Sequence, residues 1–254
     1  LGYVFLATRL VPELLRDVQH RIHPGFLQGV ASDFQGTAWF YWWYAQAQAR
    51  AVDVLTPDVI CAPTGQSLGQ NFPQQLDAVL ASSLFGSQPF PAGFNLFMVG
   101  TLDASALAGH IGLRALTRSR IAAFVGGAFY GFSAFGLHQL QAGRPTVSMV
   151  VFIPLFVACW SHLVQARGAS RWTWGLLAGI VAALAVQHYV VYAGLLVVFA
   201  LLASAARLAF PAPGVSRWRP VMALVLVGTI GLGCSAPYLQ ELLQRRPITQ
   251  EASE

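Results

Sequence analysis

The stretch TWGLLAGIVAALAVQHYVVYAGLLVVFALLASAARL, from Thr173 to Leu208, decides how this chain is built. Its polar residues near the middle are Gln187 and His188, with Tyr189 and Tyr192 beside them. As one helix it would run roughly 54 Å at about 1.5 Å per residue, against a hydrocarbon core of about 30 Å. Arg167 and Arg171 stand before it, and Arg207, Arg217 and Arg219 stand at and beyond its end. Arginine-flanked ends belong on the same side of a membrane, which requires an even number of crossings. The stretch is therefore expected to form two short helices meeting near Gln187 and His188.

The neighbouring segments fit the same scheme. Phe94 to Leu113, Ile121 to Leu137 and Thr146 to Val164 read as earlier spans, and Val221 to Tyr238 as a later one. Pro220 opens that last span, a position that proline suits because its missing N–H would be unpaired there anyway. The Ile121 span carries Gly127-x-x-x-Gly131, a spacing that lets two helices approach closely. Composition agrees: 56% of residues are hydrophobic and 10% charged, where soluble domains carry about 25% charged residues. The mean hydropathy is +0.56.

The net charge of +5 comes from arginine alone, since the chain has no lysine. These arginines sit singly or in pairs between apolar segments, so they read as membrane flanks, and no basic run points to nucleic acid. Cys61, Cys159 and Cys234 have neither metal-type spacing nor the pattern of a disulfide framework. Leu1 to Leu10 is apolar but too short to cross a bilayer, and the chain is read as an internal piece of a longer protein.

Charge also sets the orientation. Arg114, Arg118, Arg120, Arg167, Arg171, Arg207, Arg217 and Arg219 collect on one side, whereas the other short segments hold Arg144, Arg245 and Arg246. The first side is expected to be cytoplasmic. The expected architecture is all-α, a polytopic transmembrane helical bundle forming a single membrane domain over 1–254. Residues 11–92 would be a long extracytoplasmic first loop with interfacial helices, including a short surface helix at Leu76 to Phe85. Residues 93–239 would hold the transmembrane helices, and 240–254 an extracytoplasmic tail.

Within the first loop, Ala31 to Arg50 reads ASDFQGTAWFYWWYAQAQAR. Asp33 precedes a belt of Phe34, Trp39, Phe40, Tyr41, Trp42, Trp43 and Tyr44, rings that favour the headgroup layer. A carboxylate held there can take a proton from an incoming hydroxyl or help hold a divalent metal. Asp33 equally suits an N-cap, accepting from the first amides of a helix. The segment GLHQLQAGRPT brings His138, Gln139 and Arg144 to the same face, and Arg144 is suited to gripping phosphate oxygens, with Arg245 and Arg246 as rivals. Asp103 and His110 lie inside the first full span, where an acid costs about 2.5–3.5 kcal/mol on insertion scales. With the broken segment at His188, they leave a transporter or lipid flippase open, although no internal repeat supports one. The chain has no nucleotide-binding glycine loop, zinc cluster or nucleophile elbow. An enzyme of this composition would need an activated substrate already in the membrane.

The order of these features resembles the GT-C class of bacterial membrane glycosyltransferases. The residues that carry the resemblance are the first-loop acid Asp33, the Trp42-Trp43 belt, the loop of Pro63, Thr64, Gly65, Ser67 and Leu68, the histidine at His138, Pro154-Leu155, and the polar-aromatic turn at His188-Tyr189. The likeness extends over most of the chain. It is nearest to the large group of multi-span GT-C-like proteins without an assigned reaction, and looser to protein O-mannosyltransferases and aminoarabinose transferases. The resemblance implies a bacterial inner-membrane, multi-pass enzyme with its first loop outside. It implies transfer of a sugar from a polyprenyl-phosphate carrier to a glycan, lipid or protein acceptor, with Asp33 as catalytic base toward the acceptor. His138, Gln139, Arg144, His188, Tyr189, Arg245 and Arg246 would bind the substrate or the lipid phosphate. No residue is assigned as a metal ligand, a divalent metal remains open, and a non-catalytic relative with the same fold is the alternative within the class.

Overall fold

The computed structural model describes residues 2–16, 18–20, 31–55, 57, 59–60, 68, 75–85, 90–210 and 216–244, with the side chains of 13–14, 31–34 and 241–244 left out. Among the described residues every regular element is a helix: α1 Gly2–Leu10, α2 Pro12–Leu15, α3 Ala31–Arg50, α4 Gln75–Phe85, α5 Ala92–Leu116, α6 Arg120–Gly131, α7 Ala134–Gln141, α8 Pro145–Ser148, α9 Phe152–Gln165, α10 Ser170–His188, α11 Val190–Ala209 and α12 Arg219–Gln244. Among the described residues five segments are long and apolar enough to cross a membrane: Ala92–Leu116, Arg120–Gln141, Pro145–Gln165, Val190–Ala209 and Arg219–Gln240. The chain is thus a helical protein with the segments of a multi-pass membrane protein.

Two compact units divide the chain. Unit 1 comprises Leu1–Leu102, Ala134–Ser148 and Pro237–Glu254, and unit 2 comprises Asp103–Ser133 and Met149–Ala236.

In unit 2 the long apolar stretch does break. Helix α10 ends at His188, Tyr189 is extended (φ −156°, ψ 108°), and α11 starts at Val190. The Tyr189 carbonyl then accepts from Tyr192 N at 2.9 Å, opening the new helix. Helix α10 packs on α9 and α11, and α11 on α9. With Ser170, Arg171 and Thr173 in its first turns, α10 is not among the five candidate spans.

The expected spans shift in three places. The helical conformation continues past Leu137, so His138 and Gln139 lie on α7 instead of in an open link. The segment expected as Thr146 to Val164 is split, with a non-helical stretch at 149–151 between α8 and α9. Helix α12 runs on through Pro237 to Gln244, beyond the expected start of a tail at 240.

The split before α9 follows from Pro154, whose missing N–H cannot bond the carbonyl four residues earlier. That carbonyl, on Val150, accepts instead from the Tyr130 hydroxyl at 2.8 Å. Val150 N donates to Ser105 Oγ at 3.1 Å, and Met149 O lies 3.0 Å from His188 Nε2, which must carry the proton there. Three other helices therefore satisfy the freed backbone groups, the arrangement that lets a broken helix persist at membrane depth. Replacing His188 by leucine should leave the buried Met149 carbonyl without this donor and cost about 1–3 kcal/mol. A thermal midpoint unchanged in the His188→Leu protein would contradict that role.

Helices α5 and α6 meet through glycine, as the sequence pattern suggested. Gly127 and Gly131 are both buried. A Cβ on Gly131 would collide with the backbone N and Cα of Ala106. At the arginine-rich ends, Arg114 donates to Thr117 O at 3.2 Å and Arg118 O at 2.7 Å, closing the C-terminus of α5. Cations placed there complement the helix dipole.

Unit 1 is organised by α3, which packs on α4. The aromatic belt is not a surface girdle: Phe40 and Trp43 are fully buried, and Tyr41 and Tyr44 nearly so. Trp43 Nε1 donates to Val54 O at 2.8 Å, its ring stacks on Trp39 at 6.2 Å, and Tyr41 meets Phe94 and Phe97 at 5.3 and 5.4 Å. A helix this short of long aliphatic residues builds its core from rings, which bury more area apiece than any other side chain.

Candidate functional site

Asp33 lies in the first turn of α3, which begins two residues earlier at Ala31. It is therefore not the N-cap, although an acid in the first turn still favours the helix electrostatically. His138 is exposed on α7, while Gln139 is half-buried and its Oε1 is buried without a hydrogen-bond partner. The end of α7 is a Schellman turn: Gly143 takes φ +71°, its N–H donates to Leu140 O at 2.9 Å, and Arg144 N donates to Gln139 O at 2.9 Å. This turn sets Arg144, half-buried, immediately before α8.

Asp33, His138, Gln139 and Arg144 all belong to unit 1, whereas His188 and Tyr189 belong to unit 2. His188 is fully buried, within 5.1 Å of the Phe152 ring and 5.9 Å of the Tyr192 ring, and holds the Met149 carbonyl. Its observed work is structural. Arg245 and Arg246 lie outside the described residues, as does the loop Pro63 to Ser67. Among the described residues no three His, Cys, Asp or Glu side chains gather as a metal site.

A polar cluster in unit 1 was not anticipated from the sequence. Asp77, on the first turn of α4, is completely buried, and so in effect are Tyr41 on α3 and Thr146 on α8. The Tyr41 hydroxyl faces both Asp77 and Thr146. Neither the Tyr41 hydroxyl nor Thr146 Oγ1 completes a hydrogen bond of good geometry. Burial pushes the Tyr41 pKa well above its ordinary 10.0, and the negative charge of Asp77 pushes in the same direction, against a smaller lowering from Thr146. Asn95, also fully buried, donates through Nδ2 to Val18 O at 3.0 Å and fastens the start of α5 to the turn after α2.

Beside Tyr41, a small pocket of about 70 Å³ opens between α3, α4 and the start of α5, walled by Trp42, Phe85, Phe90 and Phe94, with Ser82 as a polar group. The sequence did carry a signal for Asp77, because an acid flanked by Leu76, Ala78 and Val79 interrupts an otherwise apolar run. The expectation of a surface helix hid it.

The Tyr41 environment has a consequence for pH. The folded chain holds the phenol proton more tightly than the unfolded chain, so this contribution to stability is complete below about pH 10 and is lost as the pH rises further. Thermal midpoints at about pH 9 and about pH 11 should fall apart in the natural protein and draw closer in Tyr41→Phe. An equal fall in both would remove Tyr41 as the cause. No protein-family model, no curated protein and no solved structure matches this chain.

Proposed function

We propose that this chain carries a GT-C-type membrane glycosyltransferase activity, moving a sugar from a polyprenyl-phosphate carrier to an acceptor outside a bacterial inner membrane. The observation that supports the reading is that Asp33, Gln139 and Arg144 belong to the same compact unit as the buried Asp77–Tyr41–Thr146 cluster. These residues come from segments that the arginine distribution assigns to one side.

In this reading the Asp33 carboxylate takes the proton from an acceptor hydroxyl as that oxygen bonds to the anomeric carbon. The bond from the anomeric carbon to the phosphate oxygen breaks, and the polyprenyl phosphate leaves with the electron pair. The Arg144 guanidinium grips the phosphate oxygens and stabilises the charge that grows on them. Tyr41 and the half-buried Trp42 line the aromatic pocket, where a sugar ring can rest its C–H face against the Trp42 indole. Mass spectra of the purified full-length protein should then contain polyprenyl phosphate, at a level that falls in Arg144→Ala. Protein free of that lipid in both would point to a non-catalytic relative.

One observation favours transport as a second reading. Asp103 stands within a candidate span, and its Oδ1 is buried without a hydrogen-bond partner. Flux through proteoliposomes that is unchanged by Asp103→Asn counts against it.

A further inference from the structure

Unit 2 contains an apolar cavity of about 240 Å³ among α9, α10, α11 and α12. Its inner wall includes Phe156, Trp160, Leu196 and Val227, all buried, while Val197, Leu201 and Leu232 at its edge are exposed by 58, 53 and 67%. Helices α11 and α12 and the segment containing α9 are candidate membrane spans. An exposed apolar rim on such helices is solvated by lipid, so the cavity opens onto hydrocarbon. An apolar cavity of about 150 Å³ already excludes water and accepts benzene. A larger one in contact with lipid will be filled by what lies at its mouth.

We propose that this cavity seats one acyl chain of an ordinary membrane phospholipid. Among the described residues no charged one lines it, and Ser235 alone there brings a hydroxyl, so nothing among them selects the phosphate of a carrier lipid. The chain is taken from the bulk bilayer by fit alone. Gly228 supplies room at the wall: a Cβ added there would meet nothing within 4 Å. The seat depends on the membrane assignment and not on the reaction proposed above.

Trp160 lies on the wall and is 4% exposed, which makes it the reporter. The full chain is reconstituted in phosphatidylcholine vesicles with or without bromine at mid-chain, and the emission of Trp160 is taken as the difference between the natural protein and Trp160→Phe. Most of that emission should be lost in brominated vesicles, because a chain in the cavity brings bromine against the indole. Gly228→Phe should restore it by filling the cavity, and Gly228→Leu should restore it in part. Equal Trp160 emission in the two lipids overturns the proposal, whether the cavity is empty or covered by protein. Recovery of emission in brominated vesicles on adding polyprenyl phosphate in an amount stoichiometric with the protein also overturns it, by giving the seat to an isoprenoid chain.

Discussion

Membranes carrying Asp33→Asn in the full-length protein are expected to lose sugar transfer by about 10²–10⁴-fold, the usual contribution of a positioned general base. That loss corresponds to roughly 3–5 kcal/mol of activation free energy. Instability does not account for an effect of this size. Asp33 occupies the first turn of α3, where removing the charge costs about 0.3–1 kcal/mol through the helix dipole. The amide keeps the shape and hydrogen-bonding reach of the carboxylate but cannot take a proton from an acceptor. Protein yield and thermal midpoint should therefore stay close to those of the natural protein while transfer collapses. Transfer retained within a few-fold would remove Asp33 as the base.

Gly131→Leu is expected to have the largest effect on stability. Even the first atom of a side chain at this position meets the backbone N and Cα of Ala106. Backbone cannot turn aside as a flexible side chain would, so α5 and α6 must separate. Overpacking of this kind costs typically 1–3 kcal/mol and occasionally more. With a slope of about 2–4 °C per kcal/mol for a chain of this size, the midpoint should fall by roughly 6–12 °C for the upper value. Gly233→Ala on α12 is the control of opposite sign, because nothing lies within 4 Å of its added methyl group and alanine favours helix over glycine by about 1 kcal/mol. A Gly131→Leu protein as stable as the natural one would show that the two helices do not meet there.

The membrane fold was legible because lipid imposes length and charge rules that a sequence expresses directly. Arginines on both sides of Thr173 to Leu208 called for two helices in place of one, and the chain breaks at Tyr189 although no glycine or proline marks the place. The expectation that both limbs cross is met by α11 alone, since α10 is not among the candidate spans. Gly127 and Gly131 announced a close approach but not its partner, because the residue opposite, Ala106, carries no signal of its own. The break at 149–151 was written in Pro154. Its repair by Tyr130, Ser105 and His188 was not, since each belongs to a distant helix.

The candidate site was less legible for a related reason. Aromatic residues serve both interfaces and cores, and the belt of α3 turned out to be largely core. Asp77 falls within the stretch expected as a surface helix, and only packing places Tyr41 and Thr146 beside it. Asp33, His138, Gln139 and Arg144 were recognisable as polar residues near apolar spans. Their membership in one unit, and the assignment of His188 to the other, depends on tertiary contacts that spacing does not encode.

The most direct test of the proposed reaction is transfer itself, measured in vesicles containing the purified full-length protein in one known orientation. A polyprenyl-phosphate donor carrying a radiolabelled sugar is placed in a single leaflet, and label leaving the lipid fraction is followed. Release is expected when the donor and acceptor share the face that bears Asp33, and Asp33→Asn should abolish it. Label that stays on the lipid from either leaflet, with acceptors from the cell envelope present, would contradict the assignment of this chain to sugar transfer.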